Sequence, residues 1–358
     1  MRKLENSRII VVKIGTSTIT KEDGSADLDL LSNIASQVNE LKNKKKCNVI
    51  IVTSGAIGLG VKELKLKQKP RDIALRQATA SIGQTILMQS WRDSFSKFDI
   101  KVAQLLLTYE TFTNRQSYLN LRNALNTLFV LDVVPIINEN DSISTAEIDA
   151  SFGDNDRLSA IVASKIEADL LILLSTISGL YDQNPKEHKN AKIIYEVQSI
   201  TDEILSAAGK SSGLGSGGMK TKIDAAKLCN NAGTVMVIAN GKEKNVLPRI
   251  LSNEELGTIF YPSKKIPNKK RWILFAPAAG KLIVDDCVEA ALKAGKNLLP
   301  AGINTVLGEF KKNDIVELVF DNKTFAKAIV DYDSETLNKI KKQSGHKNAV
   351  KRENLVII

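Results

Sequence analysis

Short runs of apolar, mostly β-branched residues recur along the first two thirds of the chain and alternate with segments of helical periodicity. The first run is Ile9, Ile10, Val11 and Val12. Such runs lack the polar alternation of a half-exposed strand, so they predict strands that are buried on both faces. Buried strands alternating with helices predict an α/β domain with a mostly parallel sheet sandwiched by helices. Ligands of such sheets bind at the carboxyl ends of the strands.

The same patterns locate the individual elements of this first domain. We predict strands over residues 8–14, 49–52, 102–107, 133–137, 170–174 and 235–238. We predict helices over residues 74–98, 114–129, 158–165 and 219–230. The polar loops that follow the strands are therefore where a functional site is expected.

The pattern changes at residues 261–270, where two prolines and four lysines predict a linker. Beyond it we predict short strands over residues 281–284, 303–307, 315–320 and 325–332, with one helix over about residues 288–294. The chain is therefore expected to form two domains, residues 1–262 and a smaller, mainly β domain at residues 271–358.

The composition excludes several classes of site. Only two histidines are present, and the three cysteines lie far apart, so neither a zinc cluster nor a Ser-His-Asp triad is expected. No apolar run approaches the roughly 18 residues of a membrane span, and the first residues do not resemble a signal peptide. We expect a cytoplasmic protein with no membrane segment. The net charge of +10 fits either a solvated surface or an anionic partner.

A glycine-rich loop at residues 209–218 precedes the helix predicted from Met219. It matches G-x-G-x-x-G, but it follows a helix and not the first strand of a dinucleotide fold. Its backbone N–H groups and the positive end of the helix could bind a phosphate, and Lys220 and Lys222 would favour an anion there. A flexible surface loop is the alternative.

Lys13 closes the first predicted strand, just before Gly15. A lysine in this position is costly unless it reaches solvent or an anion, so it is either an edge lysine that extends to water or a phosphate ligand. With Lys222 it could flank a phosphoryl group during transfer, because that reaction needs mainly positioning and charge neutralisation.

Two clusters of acidic and amide side chains follow, at residues 138–141 (Asn-Glu-Asn-Asp) and 153–156 (Gly-Asp-Asn-Asp). Turn formation alone could account for them. In a functional interpretation the amides hold a polar substrate, and the carboxylates hold its ammonium group or orient the lysines. Because no histidine or cysteine accompanies them, Mg²⁺ fits better than zinc.

Taken together, these segments resemble the amino acid kinase family. The resemblance is carried by VVKIGTS at residues 11–17, IVTSGAI at 51–57, VPIINEND at 134–141, GDND at 153–156 and SGLGSGGM at 212–219, with Lys222. The Asn-Glu-Asn-Asp and Gly-Asp-Asn-Asp pair resembles the branch that phosphorylates the γ-carboxylate of L-glutamate, the first step of proline biosynthesis. Residues 270–273 resemble the start of a PUA domain.

The resemblance implies roles for individual residues. Lys13 and Lys222 would stabilise the transferring phosphoryl group, and Asp156 would orient them. ATP and Mg²⁺ are the implied cofactors, with no metal ligand assigned. Thr176 departs from the aspartate common in relatives, which leaves its nucleotide contact open. The implied glutamate ligands are Ser54, Asn138, Asp141, Asp154 and Asn155, and the implied ATP site comprises Lys13, Ser175, Thr176, Ser216, Gly217, Gly218, Met219 and Lys222.

The resemblance further implies a homo-oligomer and feedback inhibition by proline. Two alternatives remain at this point. Another amino acid kinase, acting on acetylglutamate or aspartate, would lack the Asn-Glu-Asn-Asp cluster and the PUA-like end. An RNA-binding protein would use the basic C-terminal part, but its lysines are mixed with acidic residues and form no aromatic-basic stripe. A nucleic-acid partner is therefore not expected.

Overall fold

The computed structural model describes residues 3–108, 110–143, 155–185, 187–188, 190–209, 218–262, 267–276 and 278–358. The chain divides into two compact units, residues 1–265 and 266–358. Among the described residues, no helix combines the length and apolarity that a membrane crossing requires.

The first unit is built on an eight-stranded sheet in the order β3-β4-β2-β1-β5-β9-β10-β8. The six strands from β3 to β9 in that order are all parallel, and β10 runs antiparallel to β9. This confirms the predicted mostly parallel sheet. The strands are β1 (Ile9–Ile14), β2 (Asn48–Thr53), β3 (Val102–Leu107), β4 (Val134–Glu139), β5 (Leu170–Ser175), β6 (Leu180–Tyr181), β7 (Ile193–Ile194), β8 (Glu196–Val197), β9 (Val235–Asn240) and β10 (Thr258–Phe260); β6 and β7 form a separate two-stranded sheet.

In the described part of this unit, ten helices flank the sheet and its loops. They are α1 (Thr16–Ile19), α2 (Leu28–Glu40), α3 (Ala56–Glu63), α4 (Ile73–Ser96), α5 (Glu110–Thr113), α6 (Arg115–Val130), α7 (Asn155–Lys165), α8 (Asp202–Gly209), α9 (Met219–Ala232) and α10 (Val246–Leu251). A π-helical turn, Leu41–Lys45, extends α2.

Each central strand carries a continuous apolar run because its two faces enter different cores. In β1, Ile10, Val12 and Ile14 pack in one core with α2 and α4, and Val11 packs in the other with α7 and α9. Successive side chains of a strand point to opposite faces, so a strand with helices on both sides needs an uninterrupted apolar run. The helices thus leave only the strand ends and their loops open to a ligand.

A close approach between α3 and α4 brings α4 against the sheet end. A Cβ atom on Gly83 would lie 1.8 Å from the carbonyl oxygen of Ala56, and one on Gly60 would lie 2.0 Å from that of Thr79. Both distances exclude any larger side chain, so these glycines let the two helices touch backbone to backbone. The contact places Gln84, the residue after Gly83, beside the carboxyl ends of the strands.

The second unit contains a five-stranded sheet in the order β12-β11-β13-β14-β15, in which only β11 and β13 pair in parallel. Its own core includes Leu282, Leu318, Ala326 and Leu337. The elements are α11 (Asn268–Phe275), β11 (Gly280–Ile283), α12 (Asp286–Lys293), β12 (Thr305–Leu307), β13 (Ile315–Phe320), β14 (Lys323–Ile329), α13 (Ser334–Ile340) and β15 (Leu355–Ile357), with single 3-10 turns at Pro300–Gly302 and Arg352–Asn354.

The prediction of a linker over residues 261–270 was wrong for its last three residues. Helix α11 begins at Asn268, so Lys269 and Lys270 lie in its first turn. Lys269 is exposed and Lys270 is half-buried, on a helix whose Ile273 is fully buried. The second unit is nevertheless mainly β, as predicted.

Candidate active site

Two lysines converge on one aspartate at the carboxyl edge of the first unit's sheet. The Lys13 Nζ lies 2.5 Å from Asp156 Oδ1, and the Lys222 Nζ lies 3.0 Å from Asp156 Oδ2. Each carboxylate oxygen therefore faces a different ammonium group. Thr221 adds a hydroxyl 3.0 Å from Asp156 Oδ2. Three segments that are distant in sequence thus form a single charged cluster.

The cluster is nearly closed to solvent. Asp156 is 0 % exposed, and Lys13 and Lys222 are each 5 % exposed. Burial alone would raise the pKa of Asp156, but the ammonium groups of Lys13 and Lys222 outweigh it and lower that pKa below the ordinary aspartate value. The carboxylate is therefore ionised at neutral pH, and it holds both ammonium groups at fixed positions.

The fold fixes each member of the cluster through its backbone. Lys13 is the fifth residue of β1, a central strand between β2 and β5. Asp156 lies in the first turn of α7, where a carboxylate is favoured by the helix dipole. Lys222 lies in the first turn of α9, where a cation is unfavourable unless an anion is near. Asp156 supplies one such anion, and a phosphate would supply another.

A second network, made of amides, joins the ends of β2 and β4 to the start of α7. The Asn155 Nδ2 group lies 2.5 Å from the Thr53 carbonyl oxygen, 2.9 Å from Ser54 Oγ and 2.8 Å from Asn138 Oδ1. The Asn138 Nδ2 group donates in turn to Gln84 Oε1 at 2.8 Å. Because Asn155 precedes Asp156, this network is continuous with the charged cluster.

A small recess opens beside the amide network. Its lining includes Gln84 of α4, Glu139 at the end of β4, and Asp141. Burial raises the pKa of Asp141 above its ordinary value, and the charge of Arg76 opposes that shift. A half-buried carboxylate of this kind is stabilised by a cation, so the recess suits an ammonium group. The remaining lining residues are Ala56, Ala80, Leu106, Asn140 and Ser142.

Glycines cap α3 and α9 at this edge, as Gly15 caps the one-turn helix α1. Gly55 precedes α3 and Gly218 precedes α9, and neither helix has a side-chain cap hydrogen bond. By contrast, Asp27 and Asp72 cap α2 and α4 with their carboxylates. No side chain of the capping residue occupies the N-terminus of α3 or α9, and a helix N-terminus favours an anion.

The residues assigned to the nucleotide lie on the other side of β1. Ser175 ends β5 and its carbonyl accepts a hydrogen bond from the Gly241 N–H at 2.8 Å. Thr176 follows it and is exposed, and Met219 begins α9. Among the predicted site residues, Asp154, Ser216 and Gly217 lie outside the described residues. The other residues of the prediction lie in the loops and element ends at the carboxyl edge, and Lys220 is exposed.

Two residues of the site carried no recognisable motif. The sequence gives no signal for Thr221, because it lies between two lysines whose charges alone account for an anion site. Gln84 was overlooked because it lies within a long predicted helix, where a polar residue is ordinarily solvent-facing. The signal available for Gln84 was its position next to Gly83, because a glycine inside a helix commonly marks a close approach.

Comparison with known proteins gives a family match for each of the two units. Residues 8–240 match the model of the amino acid kinase family, and residues 280–352 match that of the PUA domain. The glutamate 5-kinase of Methanosarcina acetivorans is 49 % identical over 98 % of this chain and 96 % of its own length. That of Thermoanaerobacter sp. is 43 % identical over 98 % of this chain and 97 % of its own. A solved isopentenyl phosphate kinase shares the fold, with a TM-score of 0.50 and 17 % identity over 71 % of this chain and all of that one.

Proposed function

Since the chain belongs to the amino acid kinase family, we propose that it transfers the γ-phosphoryl group of ATP to the γ-carboxylate of L-glutamate, as the first step of proline biosynthesis. The observation that carries this proposal is the Lys13–Asp156–Lys222 cluster at the carboxyl edge of the sheet. Similarity to glutamate 5-kinases over nearly the whole chain supports the choice of acceptor.

The proposed reaction needs no general base. A γ-carboxylate oxygen of glutamate, already ionised at neutral pH, attacks the γ-phosphorus, and the bond from that phosphorus to the β,γ-bridging oxygen breaks to release ADP. Lys13 and Lys222 stabilise the negative charge that is redistributed over the phosphoryl and bridging oxygens. Asp156 cancels one of their two charges in the resting enzyme and keeps both ammonium groups in place.

The amide network would position the acceptor. The N–H groups at the start of α3, with Ser54, Asn138 and Asn155, would bind glutamate, and Asp141 would bind its ammonium group. We keep Asp154 as a further proposed ligand. The start of α9, with Ser216, Gly217, Gly218 and Met219, would hold the ATP phosphates, and Ser175 and Thr176 would lie toward the adenosine.

Mg²⁺ fits this site as an ion bound to the phosphates of the nucleotide. The described carboxylate nearest the lysines is Asp156, and both of its oxygens face ammonium groups. Mg²⁺ is commonly held largely by substrate phosphates and water, and it would neutralise phosphate charge there. We therefore propose that the phosphates of ATP provide most of its ligands.

Several broader features belong to the same proposal. The kinase chemistry is assigned to residues 1–262, and residues 271–358 form the PUA-like domain. Proline would compete with glutamate because it carries the same α-carboxylate and ammonium pattern. We also propose a homo-oligomer that works in the cytoplasm; the free, buried thiols of Cys47 and Cys229 fit a reducing compartment.

The function is tested by trapping the acyl phosphate. The full chain is incubated with glutamate, ATP, Mg²⁺ and hydroxylamine, and both γ-glutamyl hydroxamate and ADP are measured. We expect equal amounts of the two products, each dependent on glutamate. Aspartate and N-acetylglutamate serve as competing acceptors. Preference for either of them, or ADP release that ignores glutamate, would overturn the proposal.

Replacing Asp141 with asparagine should raise KM for glutamate about tenfold or more and leave kcat nearly unchanged. The lost contact is to an ammonium group that is present in the ground and transition states alike, so only uniform binding is removed. Initial rates at varied glutamate and saturating ATP provide the measurement. Asp99→Asn, an exposed change in the same unit, is the matched control.

The same carboxylate predicts a pH dependence. Because the pKa of Asp141 is raised, protonation begins at a higher pH than for an ordinary aspartate. In the wild type, KM for glutamate should therefore rise as pH falls through the raised pKa of Asp141. In Asp141→Asn, KM should not show this rise at low pH. If Asp141→Asn changed KM for ATP and not KM for glutamate, Asp141 would not belong to the glutamate site.

A further inference from the structure

The amide network leaves one buried hydrogen-bond donor without a partner. Gln84 is 8 % exposed, and its Nε2 atom is buried with no hydrogen-bond partner among the described residues. Buried amide groups in folded proteins are almost always paired. An unpaired donor in the lining of a recess therefore indicates a group that binds there.

The orientation of the Gln84 amide follows from the network and involves no arbitrary choice. The backbone N–H of Glu139 donates to Asn138 Oδ1 at 2.9 Å, which fixes the Asn138 amide with its oxygen toward that strand end. The Asn138 Nδ2 group must then face Gln84, and Gln84 must present its Oε1 to it. The Nε2 group is what remains, and it can only donate.

The position of Gln84 in the chain of contacts indicates which part of a substrate it meets. The order of contacts is Lys13 and Lys222 on Asp156, then Asn155, then Asn138, then Gln84. The reacting carboxylate belongs at the lysine end of this chain. Gln84 lies at the opposite end, in the recess that also holds Asp141. That end is where the α-amino and α-carboxylate groups of an amino acid would lie.

We propose that Gln84 is a specificity residue whose Nε2 group donates a hydrogen bond to the α-carboxylate of the amino acid substrate. This inference rests on the proposed function and adds a residue to it. Gln84 and Asp141 together recognise the two charges of an α-amino acid: the amide donor meets the carboxylate, and the aspartate meets the ammonium group. An acceptor substrate without an α-carboxylate would offer this donor at most a neutral oxygen and would lose the charged hydrogen bond.

The test uses two substitutions of Gln84 in the full chain. Gln84→Glu keeps an oxygen that can accept from Asn138 but replaces the donor with a second oxygen, and Gln84→Met removes both. We expect KM for glutamate to rise about tenfold to a hundredfold in each, the range for a hydrogen bond to a charged group. The kcat and the KM for ATP should change by less than about threefold. Gln89→Met, an exposed glutamine on the same helix, should resemble the wild type.

A second substrate separates recognition from a structural effect. Glutamate α-amide keeps the γ-carboxylate but carries an amide in place of the α-carboxylate. The wild type should have a higher kcat/KM for glutamate than for its α-amide. In Gln84→Glu the ratio of these two kcat/KM values should fall about tenfold, because the new carboxylate repels the α-carboxylate of glutamate and accepts a hydrogen bond from the α-amide. Melting temperatures within a few degrees of the wild type would confirm that the variants fold.

The outcomes are distinguishable. Unchanged KM for glutamate in both variants would overturn the role of Gln84 and leave the proposed function intact. An equal loss for glutamate and its α-amide in Gln84→Glu would also overturn it, because packing and not the α-carboxylate would then be responsible. A wild type that does not phosphorylate glutamate at all would overturn the proposed function and this inference with it.

Discussion

Replacing Lys13 or Lys222 with alanine should lower kcat by a hundredfold to a thousandfold. Each ammonium group is preorganised by Asp156 in a site that is nearly closed to water. Removing one preorganised donor of this kind commonly costs about 2.7–4 kcal/mol in the transition state. The KM for glutamate should change much less, because the charge matters most while the phosphoryl group moves between two oxygens.

The chain provides a matched control for this result. Lys220 lies in the same first turn of α9 as Lys222, but it is exposed. Lys220→Ala removes the same type of side chain from the same helix end, but this side chain is not part of the Asp156 cluster. We therefore expect near-normal kcat. Initial rates of hydroxamate formation would compare the three variants. Near-normal kcat in Lys13→Ala or Lys222→Ala would remove that lysine from the mechanism.

The location of the site could be predicted from the sequence because it depends on a regular feature. The apolar, β-branched run from Ile9 to Val12 predicts a doubly buried strand, and that prediction placed Lys13 at the carboxyl edge of a parallel sheet. Most of the other predicted elements follow from the same periodicity. The second unit was less regular: α11, α13 and β15 were missed because they are short and largely polar or terminal.

The start of α7 shows where periodicity fails. We predicted this helix over residues 158–165, but it begins at Asn155, so Asn155 and Asp156 lie in its first turn and not in a loop. Both are buried, which no hydrophobic pattern can indicate. Their burial depends on partners from other parts of the chain: Lys13 and Lys222 for Asp156, and Thr53 and Asn138 for Asn155. Such pairings appear only once the strands are assembled.

The role of Gln84 could not be predicted from hydrophobic periodicity either. In the sequence it is one polar residue in a 24-residue helix. Its significance arises from the glycine-mediated contact of α3 with α4 and from the orientation that Asn138 imposes on it. Neither is visible in the local sequence, because the helix contact joins Gly83 to Ala56 in another helix, and the Asn138–Gln84 hydrogen bond joins residues 54 positions apart.

Replacing Asp156 with asparagine should destabilise the first unit and also reduce kcat. The variant leaves two buried ammonium groups without their anion, and its amide can accept from one lysine while it turns a donor toward the other. Loss of one partner from a buried ion pair typically costs about 3–5 kcal/mol, which corresponds to a fall in melting temperature of roughly 5–15 °C for a unit of this size. Thermal unfolding and hydroxamate assays would measure the two effects.

The control for Asp156→Asn is Asp224→Asn, which removes an exposed aspartate 3.7 Å from Lys227 on the surface of α9. Surface pairs contribute about 0–1 kcal/mol, so this variant should unfold close to the wild type. If both aspartates gave equally small shifts, the buried cluster would contribute no more than a surface pair, and Asp156 would not be what holds the lysines.

The stability lost in Asp156→Asn should itself depend on pH in one direction. Because the folded-state pKa of Asp156 is lowered, its contribution is fully present above the ordinary aspartate pKa of about 4 and is lost as pH falls through the lowered value. The difference in melting temperature between wild type and Asp156→Asn should therefore be constant from about pH 8 to pH 5 and should shrink below about pH 4. A difference that already shrank between pH 8 and pH 6 would assign the effect to a group that titrates near neutrality, and the lysines would then be held by something other than the Asp156 carboxylate.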